Sequence, residues 1–82
     1  MNYNKEYKTL ELLIEKLRKQ SEKIEEQIEK RESSFEDKSE KWQESEKGFE
    51  YQEKTEGIQE EFDGLEEILS DLDTVLEKLE EL

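Results

Sequence analysis

Carboxylates are the only side chains with catalytic or metal-binding chemistry that this sequence offers in quantity. Asp and Glu together number 26 of 82 residues, whereas histidine and cysteine are both absent. Paired carboxylates can perform acid–base catalysis when an apolar pocket shifts the pKa of one of them. The amphipathic helices described below offer no such pocket, and no activated nucleophile stands out. We therefore expect no enzymatic activity, no catalytic residues and no cofactor.

An acidic run near the C-terminus is the best candidate for a metal site. Asp71, Asp73 and Glu77 carry oxygen ligands of the kind that calcium prefers. A calcium loop also needs a central glycine in a non-helical turn. Leu72 and Leu76 instead continue a helical spacing through the run. The run is therefore expected to be an exposed helix face, and no metal ligands are predicted.

Two series of apolar residues, spaced alternately four and three residues apart, define the elements that carry these charges. The first runs from Tyr3 to Trp42, and the second, more regular, runs from Tyr51 to Leu79. Such spacing is typical of helices that pack as coiled coils. The two frames differ by one residue, so a turn between them is the simpler explanation. The alternative is a long parallel coiled coil with a one-residue slip near residue 48.

The pattern predicts an all-α fold, namely an antiparallel two-helix hairpin with coiled-coil-like packing. One domain would cover residues 1–82. The first helix is expected at about residues 3–35, the turn at about 36–39 and the second helix at about 40–82. The second helix would then be the longer one, so its last turns would project beyond the first helix.

Two positions compete for the turn. In the preferred one, Asp37 or Ser39 caps the second helix. In the other, the turn lies at Ser45 to Gly48, with the glycine following a helix end. If Gly48 lies inside the second helix, its cost of about 1 kcal/mol relative to Ala implies a reason in the packing.

The apolar surface widens towards the open end of the predicted hairpin, where the two chain termini lie. Leu13 flanks the first apolar series, and Ile68, Val75 and Leu82 flank the second. Because a two-helix seam needs only its central positions, these flanking residues predict further helices, supplied by a homodimer of two hairpins. The residues expected to mediate self-association are Leu10, Leu13, Leu17, Ile68, Leu72, Val75, Leu76, Leu79 and Leu82.

The net charge of −13 lies entirely on one half of the chain. Residues 1–32 carry eight basic and eight acidic side chains, whereas residues 33–82 carry five and eighteen. Such asymmetry is typical of an interaction surface. The negative charge argues against direct binding to nucleic acid or anionic membranes and favours a basic protein as partner. No segment has signal-peptide or membrane-spanning length, and with no cysteine present we expect a cytoplasmic protein.

Phe49 and two glycines have two interpretations each. Phe49 lies off the apolar series, where it could anchor a partner or pack locally beside the turn. Gly57 and Gly64 lie seven residues apart on one helix face. They are either tolerated surface glycines or sites where another helix approaches closely.

The region of the turn contains Trp42-Gln43 and then Ser45-Glu46-Lys47-Gly48, followed by Leu-Glu-Glu heptads. In this respect, residues 35–82 resemble small uncharacterised two-helix acidic proteins of Firmicutes bacteria and their phages or mobile elements. Those proteins usually have leucine in place of Trp42, and many have proline in place of Ser39. The resemblance implies a phage or mobile-element setting and no particular activity.

These features predict a non-enzymatic acidic protein-interaction module, an accessory of a phage or mobile element that binds a basic host protein. The most specific version of this hypothesis is nucleic-acid mimicry. In it, carboxylates take the place of phosphates, and binding to the basic protein weakens steeply with salt. The alternative is a self-assembling structural coiled-coil adaptor. The predicted partner-binding residues are Phe49, Glu53, Glu56, Glu60, Glu61, Asp63, Glu66, Glu67, Asp71 and Asp73.

Overall fold

The computed structural model describes residues 2–82 and consists of two long helices that lie side by side in opposite directions. Helix α1 spans Asn4–Glu36, the short helix α2 spans Glu40–Gln43, and α3 spans Glu46–Glu81. No strand occurs within residues 2–82. The molecule measures 62 × 15 × 12 Å, which is the length of one long helix and its turn, not of 80 helical residues in line. The predicted all-α hairpin is confirmed.

Contacts between α1 and α3 define the antiparallel register. Arg18 forms an ion pair with Asp73, and Arg31 Nε donates a hydrogen bond to Thr55 Oγ1 at 2.9 Å. Moving towards the C-terminus along α1 therefore means moving towards the N-terminus along α3. At the open end, Tyr7 lies close enough to Glu80 for that charge to affect its phenol.

At the open end, the two long helices end level with each other. The expectation that the second helix would project beyond the first is wrong. A turn at residues 36–39 alone does not complete the reversal of the chain, which is completed only after α2. Short helix α2 extends the connection, so the α3 residues opposite α1 are those nearer the C-terminus. Tyr7 consequently lies beside the last turns of α3, near Glu80.

The core is a single seam between α1 and α3. Ile14, Ile28 and Leu69 are buried, with no more than 4% of each exposed. Ser21 is also buried, and its hydroxyl donates to Glu66 Oε1 at 2.8 Å. Most other seam residues are only half-buried because a single neighbouring helix covers each of them. A hairpin of this length thus has a thin hydrophobic core.

The second helix is interrupted, so the prediction of one continuous helix over residues 40–82 is wrong. Ser39 caps α2 by accepting a hydrogen bond from Trp42 N at 3.2 Å. Ser45, in an extended conformation, caps α3 by accepting from Gly48 N at 3.3 Å. Each serine satisfies a backbone N–H that has no partner within its own helix. The chain thus changes direction at both of the competing positions.

Gln43 and Gly48 fix the corner that these turns create. Gln43 Nε2 donates to the carbonyl oxygens of Phe35 and Lys38, each at 3.0 Å. It thus satisfies one acceptor in the last turn of α1 and one in the turn that follows. A Cβ atom on Gly48 would lie 2.4 Å from the carbonyl oxygens of both Trp42 and Gln43. Gly48 therefore has the expected packing reason, but α2 approaches it rather than α1.

An aromatic cluster closes the hairpin next to the corner. The ring centroids of Phe35, Trp42 and Tyr51 lie 5.9 to 6.3 Å apart, within the range for favourable aromatic pairs. The Arg31 guanidinium lies 4.0 Å from the centroid of the Tyr51 ring and donates to the Tyr51 carbonyl oxygen. The polar seam position at Arg31 is therefore used to hold the two helices together.

Candidate interaction surfaces

The two flanks of the α1–α3 seam have opposite character. Arg18 and Asp73 each lie four residues after a buried seam residue, and they meet on one flank. Leu13 and Ile68 each lie one residue before the same buried residues, which places both on the other flank. One flank is thus charged, and the other is apolar.

The apolar flank is exposed at the open end of the hairpin. Leu13, Ile68, Val75 and Leu82 each leave 50% or more of their surface in contact with solvent. Half-buried Leu10, Leu17 and Leu72 line a shallow groove beside them. We call these seven residues the apolar flank. All seven belong to the set that the sequence predicted for self-association, whereas Leu76 and Leu79, also in that set, are half-buried seam residues.

Six carboxylates form a stripe on the surface of α3 that faces away from α1. Their spacing of three or four residues keeps them on one helix face, and all six are exposed. We call them the outer acidic stripe: Glu53, Glu56, Glu60, Asp63, Glu67 and Asp71. Asp63 accepts a hydrogen bond from Gln59 within the same helix, and the stripe is otherwise open to solvent.

The other three predicted partner-binding carboxylates lie on the flanks. Asp73 pairs with Arg18, and their hydrogen bond and opposite charges raise the pKa of the arginine above its ordinary value. Glu66 accepts the hydrogen bond from Ser21. Glu61 lies on the same flank as Ile68, seven residues earlier in α3. Asp73 and Glu66 therefore have polar contacts with α1, whereas the described stripe residues have no hydrogen bond or ion pair with it. Glu56 borders a groove beside Arg31 and Phe35 of α1.

The outer face of helix α1 carries six of the eight basic side chains of this helix. Six lysines lie on the side of α1 remote from the seam and are exposed: Lys5, Lys8, Lys16, Lys19, Lys23 and Lys30. Glu15, Glu22, Glu26, Glu29 and Glu36 share this face, so its charges are nearly balanced, as they are over α1 as a whole. Plotting the lysines on the helical repeat of 3.6 residues would have revealed this face.

Phe49 is exposed to solvent, and the surfaces at Gly57 and Gly64 are open. Phe49 lies in the first turn of α3 with 63% of its surface exposed. A Cβ atom on Gly57 or on Gly64 would have no neighbour within 4 Å. The close helix approach considered for these glycines therefore does not occur between α1 and α3.

Across residues 2–82, no group of three or more acidic side chains is arranged to hold a metal ion. Asp71, Asp73 and Glu77 lie within the unbroken helix α3. Within residues 2–82, none of the helices combines the length and apolar character required to cross a bilayer.

Comparisons with known proteins identify no relative of this chain. No protein-family model matches this chain, and neither the curated proteins nor the solved structures contain a significant match.

Proposed function

We propose that this chain is a non-enzymatic protein-interaction module that binds a basic protein through the outer acidic stripe of α3. The observation that supports this most directly is the segregation of charge. Helix α3 has fourteen acidic and three basic side chains, a net charge of −11. The six stripe residues are exposed and have no ion pair with α1. A charge excess needed only for solubility has no reason to be confined to one helix.

The charge density of α3 supports a particular form of nucleic-acid mimicry. Its 36 residues extend about 54 Å at 1.5 Å per residue, so one net charge falls on about every 5 Å. Duplex DNA carries one charge per about 1.7 Å and each of its strands one per about 3.4 Å. The density is thus closer to that of one strand, and a partner that normally holds a single phosphate backbone fits best.

We further propose that the hairpin forms a homodimer through the apolar flank, giving a four-helix arrangement. Four large apolar side chains are at least half exposed at one end of a molecule in which three apolar residues of the described range 2–82 are buried. Burial of apolar surface contributes about 25 cal/mol per Å², so a small chain with a thin core gains stability by association. This flank also favours the second candidate function, a self-assembling structural adaptor.

Charge-neutralising variants test the acidic-stripe proposal. One variant carries Glu→Gln at Glu53, Glu56, Glu60 and Glu67. The control carries the same four changes on α1, at Glu15, Glu22, Glu26 and Glu29, so both have the same net charge. Each immobilised chain is challenged with a bacterial lysate, and bound proteins are eluted with increasing salt.

The proposal expects the unmodified chain and the α1 control to retain basic proteins that elute with salt. The stripe variant should lose them, and single-stranded DNA should displace them if the chain imitates a phosphate backbone. Equal capture by all three chains, or equal loss by both variants, would contradict a specific role for the stripe. In that case the adaptor function is the better interpretation. We also propose that the chain acts in the bacterial cytoplasm as an accessory of a phage or mobile element. The composition supports the cytoplasm, and the resemblance supports the phage or mobile-element origin.

A further inference from the structure

The distribution of charge on the hairpin indicates how two copies would be arranged. This inference rests on the proposed dimerisation through the apolar flank. Two hairpins can place these flanks face to face in two symmetric ways. In one, α1 of each copy packs against α3 of the other, and both open ends lie at the same end. In the other, α1 packs against α1 and α3 against α3, and the hairpins point in opposite directions.

We propose that a second copy of this chain occupies the apolar flank with its α1 packed against α3. The α3–α3 arrangement would bring together two helices that each carry a net charge of −11. Like charges in close contact disfavour such pairing. The α1–α3 arrangement avoids it, because α1 has eight basic and nine acidic side chains.

One pair of charges at the edge of the apolar flank is complementary in the same sense. Along α1, the groove is lined by Lys16, Lys19 and Lys23 together with Glu22 and Glu26. Along α3, Asp71 lies beside Ile68, and Lys78 lies beside Val75. The contact between Ser21 and Glu66 sets Lys16 level with Asp71, so Lys16 of each copy would meet Asp71 of the other in the proposed arrangement. Complementary charges of this kind determine register and orientation more than affinity.

Coincident open ends also bury the whole apolar flank. Leu13 of one copy would lie near Val75 of the partner, because these residues are at the same level along the antiparallel hairpin. Neighbouring helices in a bundle are about 8–10 Å apart, and diagonal helices about 1.4 times farther. The two copies of Val75 would then be diagonal to each other. In the α3–α3 arrangement they would be direct neighbours.

Single-cysteine cross-linking distinguishes the two arrangements, since the chain has no cysteine of its own. One preparation carries Leu13→Cys, and a second, distinguished by an affinity tag, carries Val75→Cys. The two are mixed, allowed to exchange subunits and treated with a short thiol-reactive cross-linker. Single cysteines exclude cross-links within one chain. A third preparation with Leu12→Cys, on the opposite face of α1, measures random collision.

The proposed arrangement predicts that the mixed Leu13→Cys/Val75→Cys product exceeds both single-variant products at least fivefold. A predominant product between two Val75→Cys chains would overturn this arrangement while leaving dimerisation intact. Yields no higher than those of the Leu12→Cys preparation, together with the mass of a single chain by light scattering, would overturn both proposals. A ladder of masses above the dimer would overturn the closed arrangement, because it indicates head-to-tail contacts.

Discussion

Three polar residues, Ser39, Gln43 and Ser45, build the corner that reverses the chain. Each makes a side-chain hydrogen bond to backbone groups at a helix end. Gln43, Ser45 and Gly48 belong to the stretch from Trp42 to Gly48 that runs from the end of α2 into the first turn of α3. The geometry of the corner accounts for these three residues.

The first prediction concerns the close backbone approach at Gly48. Gly48→Ala would place a Cβ atom 2.4 Å from two carbonyl oxygens that belong to α2 backbone, so α2 and α3 must separate. We expect a loss of about 1–3 kcal/mol in the free energy of unfolding, as for other overpacked sites, measured by urea denaturation followed by circular dichroism.

Gly57→Ala is the matched control, because a Cβ atom there would meet nothing within 4 Å. This change should stabilise the hairpin by about 1 kcal/mol through helix propensity alone. If both substitutions have the same sign, the corner geometry described here is wrong.

The second prediction concerns the amide of Gln43. Gln43→Ala removes the hydrogen bonds to the carbonyl oxygens of Phe35 and Lys38. The expected cost is about 1–2 kcal/mol, the scale for lost hydrogen bonds to half-buried groups. Gln27→Ala, at an exposed position on α1, should change stability by less than about 0.5 kcal/mol. Equal effects in thermal denaturation would mean that the Gln43 amide does not cap α1.

At the scale of helices, much of the hairpin was predictable because its two apolar series are regular. The ends of α1 were placed within one residue, and the reversal of the chain followed from the change of frame. The break at Glu44 and Ser45 was missed because the serine cap and Gly48 were treated as an alternative turn. Sequence spacing could not show that both turns occur, since this depends on the contact between Gly48 and α2.

The apolar flank was predictable from the residues beside the apolar series, and so was the outer acidic stripe as a group. The sequence could not show which carboxylates lie in the outer acidic stripe and which lie on the flanks of the seam. Asp73 and Glu66 contact Arg18 and Ser21, and such pairs require the register between the helices. The observed register differs from the predicted one because α2 lengthens the connection between the two long helices.

The third prediction concerns the pairing of helix ends at high pH. Desolvation, followed by the charges of Glu80 and Glu11, raises the pKa of the Tyr7 phenol above its ordinary value of 10.0. The neutral phenol is therefore favoured in the folded state. Its contribution to the stability of the folded state is fully present below pH 10.0. It is lost as the pH rises through the higher folded value.

The comparison is between the unmodified chain and Tyr7→Phe, each melted at pH 8 and at pH 11 and followed by circular dichroism. Other ionisations affect both chains alike, so the difference reports on Tyr7. We expect the unmodified chain to lose more stability over this interval than Tyr7→Phe. An equal loss would show that Tyr7 does not lie against the acidic end of α3.

At the scale of the whole molecule, the hairpin has four sides with different chemistry. The seam has a charged flank and an apolar flank, the outer face of α1 has mixed charge, and the outer face of α3 is acidic. A dimer formed through the apolar flank would leave the outer acidic stripe of each copy exposed except at Asp71, which lies at the edge of the apolar flank. Self-association and binding of a basic partner are therefore compatible, and dimerisation would present two stripes to one partner.

The measurement that tests this account most directly is the mass of the chain in solution by sedimentation equilibrium over a range of concentrations. Three chains are compared: the unmodified one, one with Ile68→Gln and Val75→Gln, and one with Leu12→Gln. Leu12 is the matched control, since it is 58% exposed, compared with 54% for Ile68, but lies on the outer face of α1.

We predict that the unmodified chain and the Leu12→Gln chain form dimers of twice the 10.0 kDa chain mass. The Ile68→Gln/Val75→Gln chain should remain helical but require at least tenfold higher concentration to dimerise. A mass of 10.0 kDa for the unmodified chain at every concentration, or the same weakening by Leu12→Gln, would contradict dimerisation through the apolar flank.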